Sequence, residues 1–190
     1  MGTLFLVVFL ATLSSDVLAI EQFPHKREGF FVGAGLGFGN AGADVTVVEK
    51  LIRQSGGTGN VRMGWAIIDN LVAGFEFTGF AAFFSQQATD DLRWVLTLSS
   101  LAVTWWPGNR GLYVRGGAGI ATSRVEVVTT GAQRQDKAGV GVLLATGYEW
   151  RVTENMAIGP QAEYVYMNID GDLTKNANYV SFSLQLTGYW

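Results

Sequence analysis

An all-β, eight-stranded antiparallel up-and-down transmembrane β-barrel is predicted by three features of this 190-residue sequence. The first is the last stretch, Tyr179–Trp190, which places Val180, Phe182, Leu184, Leu186 and Trp190 on one parity. Tyr179, Ser181, Ser183, Gln185, Thr187 and Tyr189 take the other. A helix, with its 3.6-residue period, would scatter both sets, whereas a strand alternates faces with period 2. The second is length: strands of soluble proteins run about 5–6 residues, while a tilted membrane-crossing strand needs about 9–11. The third is composition. Charged residues make up 15% of the chain, against about 25% in soluble domains, and apolar residues 48%. Yet no interior run of about 18 apolar residues exists to cross a membrane as a helix. A lone spanning strand would leave backbone donors unpaired in lipid at several kcal/mol each, so the sheet must close.

The chain opens on an export signal. Leu4–Leu13 is an apolar core too short to anchor, and Val17-Leu18-Ala19 resembles a small-residue cleavage site. The N-terminal Met1–Thr3 carries no Lys or Arg, which departs from the usual signal. Residues 1–19 are therefore assigned to a signal peptide, 20–28 to a periplasmic lead-in and 29–190 to the barrel.

Eight segments then follow, joined alternately by long loops and short turns. Strand one, Gly29–Gly39, puts Phe30, Val32, Ala34, Leu36 and Phe38 on one face. The loop from Asn40 to about Gly59 contains Asp44–Gln54, which suits either strand extension or a short helix. Strand two, Asn60–Ile68, turns Val61, Met63, Trp65 and Ile67 one way and Arg62 the other. Asp69-Asn70 makes a tight hairpin turn into strand three, Leu71–Phe83, with Glu76 and Thr78 opposite Phe75 and Phe77.

Strand four, Leu92–Trp106, begins with Leu92, Trp94, Leu96 and Leu98 outward and Arg93, Val95, Thr97 and Ser99 inward. Its apolar parity then changes to Leu101, Val103 and Trp105, and a β-bulge near Ser99-Ser100 is the simplest repair. After the turn Pro107–Arg110, strand five, Gly111–Val125, sets Leu112, Val114, Ala118 and Ile120 outward. Tyr113, Arg115, Ala121 and Ser123 face in. Strand six, Ala138–Trp150, sends Val140, Val142, Leu144, Tyr148 and Trp150 out and Ala145 and Glu149 in. Strand seven, Met156–Met167, opposes Ile158, Ala162, Tyr164 and Tyr166 to Gln161 and Glu163. Long loops alternating with short turns is the layout of outer-membrane barrels, and eight strands make the smallest barrel that side chains can fill.

Charges within the strand bodies, Arg62, Glu76, Arg93, Arg115, Glu149 and Glu163, all fall on the non-lipid face. An Arg at the bilayer midplane facing lipid costs about 2–4 kcal/mol, and six such placements would exceed a net stability of about 5–15 kcal/mol. They are expected inside as a paired network, since buried charges need partners. If Ile67 faces Leu71, Arg62 lies across from Glu76; Arg115 is expected to meet Glu149 or Glu76, and Arg93 to meet Glu163. The network reads either as a plug that satisfies its own members or as a gate, the plug being the simpler. Aromatics form two interface bands: Phe30, Trp105, Tyr148, Trp150 and Trp190 near the short turns, and Phe38, Phe83, Trp94, Tyr164 and Tyr166 toward the long loops.

The strands G-F-F-V-G-A-G-L-G-F-G, L-Y-V-R-G-G-A-G, G-Y-E-W and L-T-G-Y-W together resemble the small eight-stranded outer-membrane proteins. That class holds the OmpA transmembrane domain, OmpX and the opacity-type adhesins. The resemblance implies insertion by the barrel-assembly machinery through the aromatic-ended final strand. Members usually end in Phe, and Trp190 departs mildly.

No catalysis is expected. Barrel hydrolases use a His beside Ser, Asp or Glu at the rim, and the single histidine, His25, precedes the first strand. Asp170-Gly171-Asp172 lacks the later Glu of a calcium loop, so neither metal nor cofactor is expected. The net charge of −3 offers no basic surface to nucleic acid. The expected protein is a monomer in the bacterial outer membrane, in contact with lipid and lipopolysaccharide. It would have a structural or adhesin-like role through four extracellular loops and any surface ligand they hold. A narrow channel for small solutes or apolar molecules is the alternative, and a lipid-acting enzyme ranks behind both. A soluble lipocalin-type barrel would need the reverse pattern, apolar inside and polar outside.

Overall fold

The structure is a computed structural model, and it describes residues 27–45, 50–85, 91–127, 133–135, 137–169 and 174–190. Residues 1–19, expected to be an export signal, His25 and Asp170–Asp172 lie outside the described residues. The strands are β1 (Phe30–Val45), β2 (Lys50–Ile68), β3 (Leu71–Ser85), β4 (Asp91–Trp105) and β5 (Leu112–Val127). They continue as β6 (Gln133–Gln135), β7 (Gly139–Tyr148), β8 (Trp150–Arg151), β9 (Met156–Asn168) and β10 (Thr174–Tyr189). The short β6 pairs only with the end of β5, and β8 continues β7 past a break at Glu149. Eight staves remain. Each is antiparallel to its sequence neighbour, and β10 pairs with both β9 and β1, so the sheet closes. Among the described residues no helix is long and apolar enough to cross a membrane; the strands do the crossing.

The ladder of β1 and β2 runs unbroken from Phe30↔Trp65 to Val45↔Lys50. Asp44–Gln54, undecided between helix and strand, thus falls on strand extensions apart from residues 46–49, which are not described. In the β2–β3 hairpin Arg62 faces Glu76 as the spacing predicts. The register then slips between Ala66 and Ile68, so that Ile68 rather than Ile67 meets Leu71. One extra residue in β2 lets the two-residue turn at Asp69-Asn70 close without disturbing the ladder above it.

The outward parity of β10, β1, β5, β7 and β9 agrees with the sequence. Leu36, Phe38, Ile120, Val140, Leu144, Val180, Phe182 and Leu184 are exposed on the outer face, while Tyr113, Arg115, Ala145, Gln161, Glu163 and Tyr179 are buried. The apolar exterior is the expected solution for a wall bathed in lipid.

β4 corrects the reading. Its pairing with β3 and β5 is continuous through Leu98, Ser99, Ser100 and Leu101, so there is no bulge. Leu96 and Leu98 are completely buried and Trp94 nearly so, whereas Arg93 and Ser99 face outward. The reason is height. A strand of 19 residues such as β2, tilted by about 40°, rises roughly 50 Å, twice the apolar band of about 25 Å that lipid covers. Above that band the exterior meets water, and apolar residues gain by turning inward.

The barrel therefore has two storeys. At the long-connection end the interior is a dry core in which Phe80, Trp94, Leu96, Leu98, Leu143, Val165, Met167, Ile169 and Tyr179 pack together. Toward the short turns the interior is ionic, within a collar of Phe31, Val72, Trp106, Tyr113, Ala157 and Tyr189.

Candidate functional site

The interior of the lower storey carries the chemistry. Inward parity delivers Arg62 from β2, Glu76 and Thr78 from β3, and Thr104 from β4. Tyr113 and Arg115 come from β5, Gln161 and Glu163 from β9, and Gln185 and Thr187 from β10. Crowding is relieved by glycine at close approaches: a Cβ on Gly35 would lie 2.0 Å from the Gln185 amide, and one on Gly33 2.6 Å from Arg62 Nε.

At the centre Arg115 Nη1 donates to Glu76 Oε1 at 2.7 Å, and its Nε donates to Thr104 Oγ1 at 3.1 Å. Both partners of this ion pair are 1% exposed at the side chain. Of the two acids proposed for Arg115, the structure selects Glu76. Arg62 lies across the ladder from Glu76 but does not pair with it; its Nη2 donates to Thr187 Oγ1 at 2.5 Å. Facing residues in a ladder share a register, yet long side chains reach past their neighbour toward whichever acceptor lies in their own rotamer's path.

Glu163 meets no arginine. It accepts from the Thr78 hydroxyl at 2.9 Å, the Tyr179 hydroxyl at 3.3 Å and Gln161 Nε2 at 3.2 Å. Gln161 accepts in turn from the Tyr113 hydroxyl at 2.9 Å. The expected Arg93–Glu163 pair is therefore absent. Arg93 stands outside the barrel with its side chain 45% exposed, 4.0 Å from Glu126. A solvated pair of this kind is worth about 0–1 kcal/mol. Arg93→Ala is accordingly expected to change unfolding free energy by less than about 1 kcal/mol, read by urea titration in lipid vesicles.

The floor of the lumen was not legible in strand periodicity. Arg27, assigned to the lead-in, is completely buried. Its guanidinium lies 4.0 Å over the Trp106 ring, donates to the Arg110 carbonyl at 3.1 Å and reaches Glu149 Oε2 at 3.5 Å. Glu149 also accepts from Trp106 Nε1 at 3.0 Å and from the Tyr189 hydroxyl at 2.6 Å. Arg151, assigned to a turn, is buried with its guanidinium 4.1 Å over Tyr189. Four arginines and three glutamates are thus buried here: Arg27, Arg62, Arg115 and Arg151 against Glu76, Glu149 and Glu163. Among the described residues no cluster of His, Cys, Asp or Glu is arranged to hold a metal ion.

Outside, the short-turn aromatics form a collar. The Phe30 ring lies 4.8 Å from Trp65 and 6.5 Å from Trp190, and Tyr148 lies 5.4 Å from Trp150. Trp105 and Trp190 are exposed. At the other end Phe38, Phe83, Tyr164 and Tyr166 are exposed, but Trp94 is not an interface residue: it packs inside against Phe80 at 6.0 Å.

A closed antiparallel barrel with an apolar waist, an aromatic collar and an ionic interior defines a bacterial outer-membrane protein. Sequence comparison narrows this: the model of the OmpA-like transmembrane domain matches residues 25–187, and the chain belongs to that family. Among solved structures, the Neisserial surface protein NspA is similar at a TM-score of 0.63, with 17% identity over 85% of this chain and 97% of that one. Ail, the attachment invasion locus protein of Yersinia pestis, is similar at 0.54, with 14% identity over 85% and 98%. At these identities the likeness is one of fold. No curated protein sequence matches the chain.

Proposed function

We propose that this protein is an outer-membrane surface barrel whose lumen is a structural core and whose work is an adhesin-like interaction through the strand ends opposite the Asp69-Asn70 turn and the four connections that join them, held outside the cell. The observation that carries this reading is the filled interior. A solute would have to pass the completely buried Leu96, Leu98 and Met167 and then the Arg115–Glu76 pair. That obstacle weighs against the channel alternative. No reaction is proposed, because the buried carboxylates are each engaged with arginine, tyrosine, threonine or glutamine side chains in the interior.

The structural relative Ail carries attachment in its name and has also been solved with the heparin analogue sucrose octasulfate, at 12% identity and a TM-score of 0.50. Heparin is therefore a reasonable first probe for the loops. Bacteria displaying the full chain should bind heparin-coated beads, and cutting back the strand extensions above the apolar band together with the four connections 46–49, 86–90, 128–138 and 169–173 should abolish the binding while the barrel still folds. Undiminished binding without the loops would overturn the proposal. So would steady single-channel openings of the purified protein in planar bilayers.

A further inference from the structure

We infer that Arg27 and Glu149 form a closure lock, a tie made only after the wall has closed, which spans the seam between β1 and β10 from within the floor and slows its reopening. Arg27 stands three residues ahead of β1, on one side of that seam. Glu149 belongs to the stave of β7 and β8, which lies on the other side beyond β9 and β10. The Arg27 guanidinium reaches Glu149 Oε2 at 3.5 Å, with both side chains buried.

The hub of the lock is held from several directions. Tyr189, the last residue of β10, donates its hydroxyl to Glu149 Oε1 at 2.6 Å. Trp106, just past the end of β4 and on the far side of the cylinder from the seam, donates Nε1 to Oε2 at 3.0 Å. The backbone holds Glu149 as well. β7 and β8 pair with β9 in one register, and the ladder is interrupted only where Tyr148 and Glu149 come opposite Pro160 and Gly159. Proline has no N–H to give there. On its other flank Glu149 donates its own N–H to the Gly111 carbonyl at 2.9 Å. Arg27 is placed as firmly, its guanidinium 4.0 Å over the Trp106 ring and bonded to the Arg110 carbonyl.

Topology decides when the tie can form. A ladder hydrogen bond joins neighbouring staves and can form while the sheet is still open. Arg27 and Glu149 are 122 residues apart in sequence. In a sheet with every ladder made except the seam, β1 and the β7 stave are five spacings apart, about 24 Å, far beyond the reach of two side chains. Only closing β10 onto β1, where Phe31 meets Tyr189 and Phe30 exchanges backbone hydrogen bonds with Trp190, brings them together. Contacts made after the transition state leave the closing rate unchanged and slow the reopening. A charge-assisted hydrogen bond buried from water is the strong kind.

Urea-jump unfolding and refolding of the whole chain in lipid vesicles, followed by tryptophan fluorescence and by the mobility of unboiled samples on gels, test the lock. R27Q loses one charge-assisted contact, so it should unfold about tenfold faster than the parent and refold within about twofold of it. E149Q weakens the same tie from its other end and should show the same split. A staple then separates a lock on the seam from ordinary packing of the floor. The sequence has no cysteine, and Ala34 faces Leu186 on the lipid side of the seam. That pair lies four residues from the exchanged bonds of Phe30 and Trp190. It is therefore a hydrogen-bonded pair with Cα atoms about 5.5 Å apart, within disulfide reach. With A34C/L186C oxidised the seam cannot part, and adding R27Q should change the unfolding rate by no more than about twofold. The same acceleration persisting in the stapled chain would reduce Arg27 to floor packing and overturn the lock. So would refolding slowed as much as unfolding is hastened, or R27Q and E149Q both unfolding at the parent's rate.

Discussion

Replacing Glu76 with alanine is expected to destabilise the folded barrel by about 3–5 kcal/mol, because it leaves Arg115 charged and buried with no counter-ion. The pair is enclosed on every side, both side chains being 1% exposed, so water cannot replace the lost carboxylate. Thr104 remains as a neutral acceptor at 3.1 Å and recovers only a part of the loss. The measurement is urea unfolding in lipid vesicles, followed by tryptophan fluorescence and by migration of unboiled samples on gels. The ion pair itself is not the source of the stability. Its attraction is largely offset by desolvation, so replacing both partners by apolar residues, as in E76L/R115M, should recover most of the loss. A single variant within about 1 kcal/mol of the parent would mean that Arg115 has an alternative partner.

The second large effect is expected outside. Leu184 faces Leu36 and Pro160 across its two ladders and is exposed near the middle of the apolar waist. Leu184→Arg should cost about 2–4 kcal/mol, since the guanidinium then faces lipid near the bilayer midplane. Phe83→Arg likewise puts a guanidinium in place of an exposed apolar side chain, close to the upper rim, and should cost only about 0–1 kcal/mol. The contrast between the two, measured in the same vesicles, locates the band. Equal costs would show that the apolar waist is not where lipid lies.

Much of this architecture was legible because alternation is a local property. In β10 every residue from Tyr179 to Tyr189 obeys one parity, and a wall of such strands can close in few ways. The Arg62↔Glu76 register followed from the hairpin at Asp69-Asn70, and it survived a one-residue slip beside the turn. What alternation does not encode is height. Trp94, Leu96 and Leu98 are an apolar row whether the row faces lipid or a dry core, and the choice depends on how far β4 overshoots the membrane. That overshoot is fixed by the pairing of β4 with the upper ends of β3 and β5, as far as Ser85↔Asp91 and Leu92↔Val127, contacts distant in sequence that alternation within β4 does not carry. Arg93 was misplaced for the same reason, since as the neighbour of Trp94 it takes the opposite face. Arg62 failed to pair with Glu76 because rotamers, not registers, choose among acceptors. Arg27 lay beyond any periodic segment, and no pattern in the sequence marks a residue that enters the barrel from its end.

The seam between β1 and β10 has a kinetic consequence. Phe31 pairs with Tyr189, and Phe30 and Trp190 exchange backbone hydrogen bonds at 2.9 and 2.8 Å, across almost the whole described chain. Until that seam forms, every partial arrangement of staves presents two raw edges, and no smaller closed intermediate is available. Closure of the barrel therefore needs the last stave, and its seam is the pairing of longest sequence separation, the kind that slows folding. The same geometry works in reverse: once closed, the cylinder offers no fraying terminus from which to unzip, so its lifetime in the membrane is governed by the rate of tearing a full-length seam.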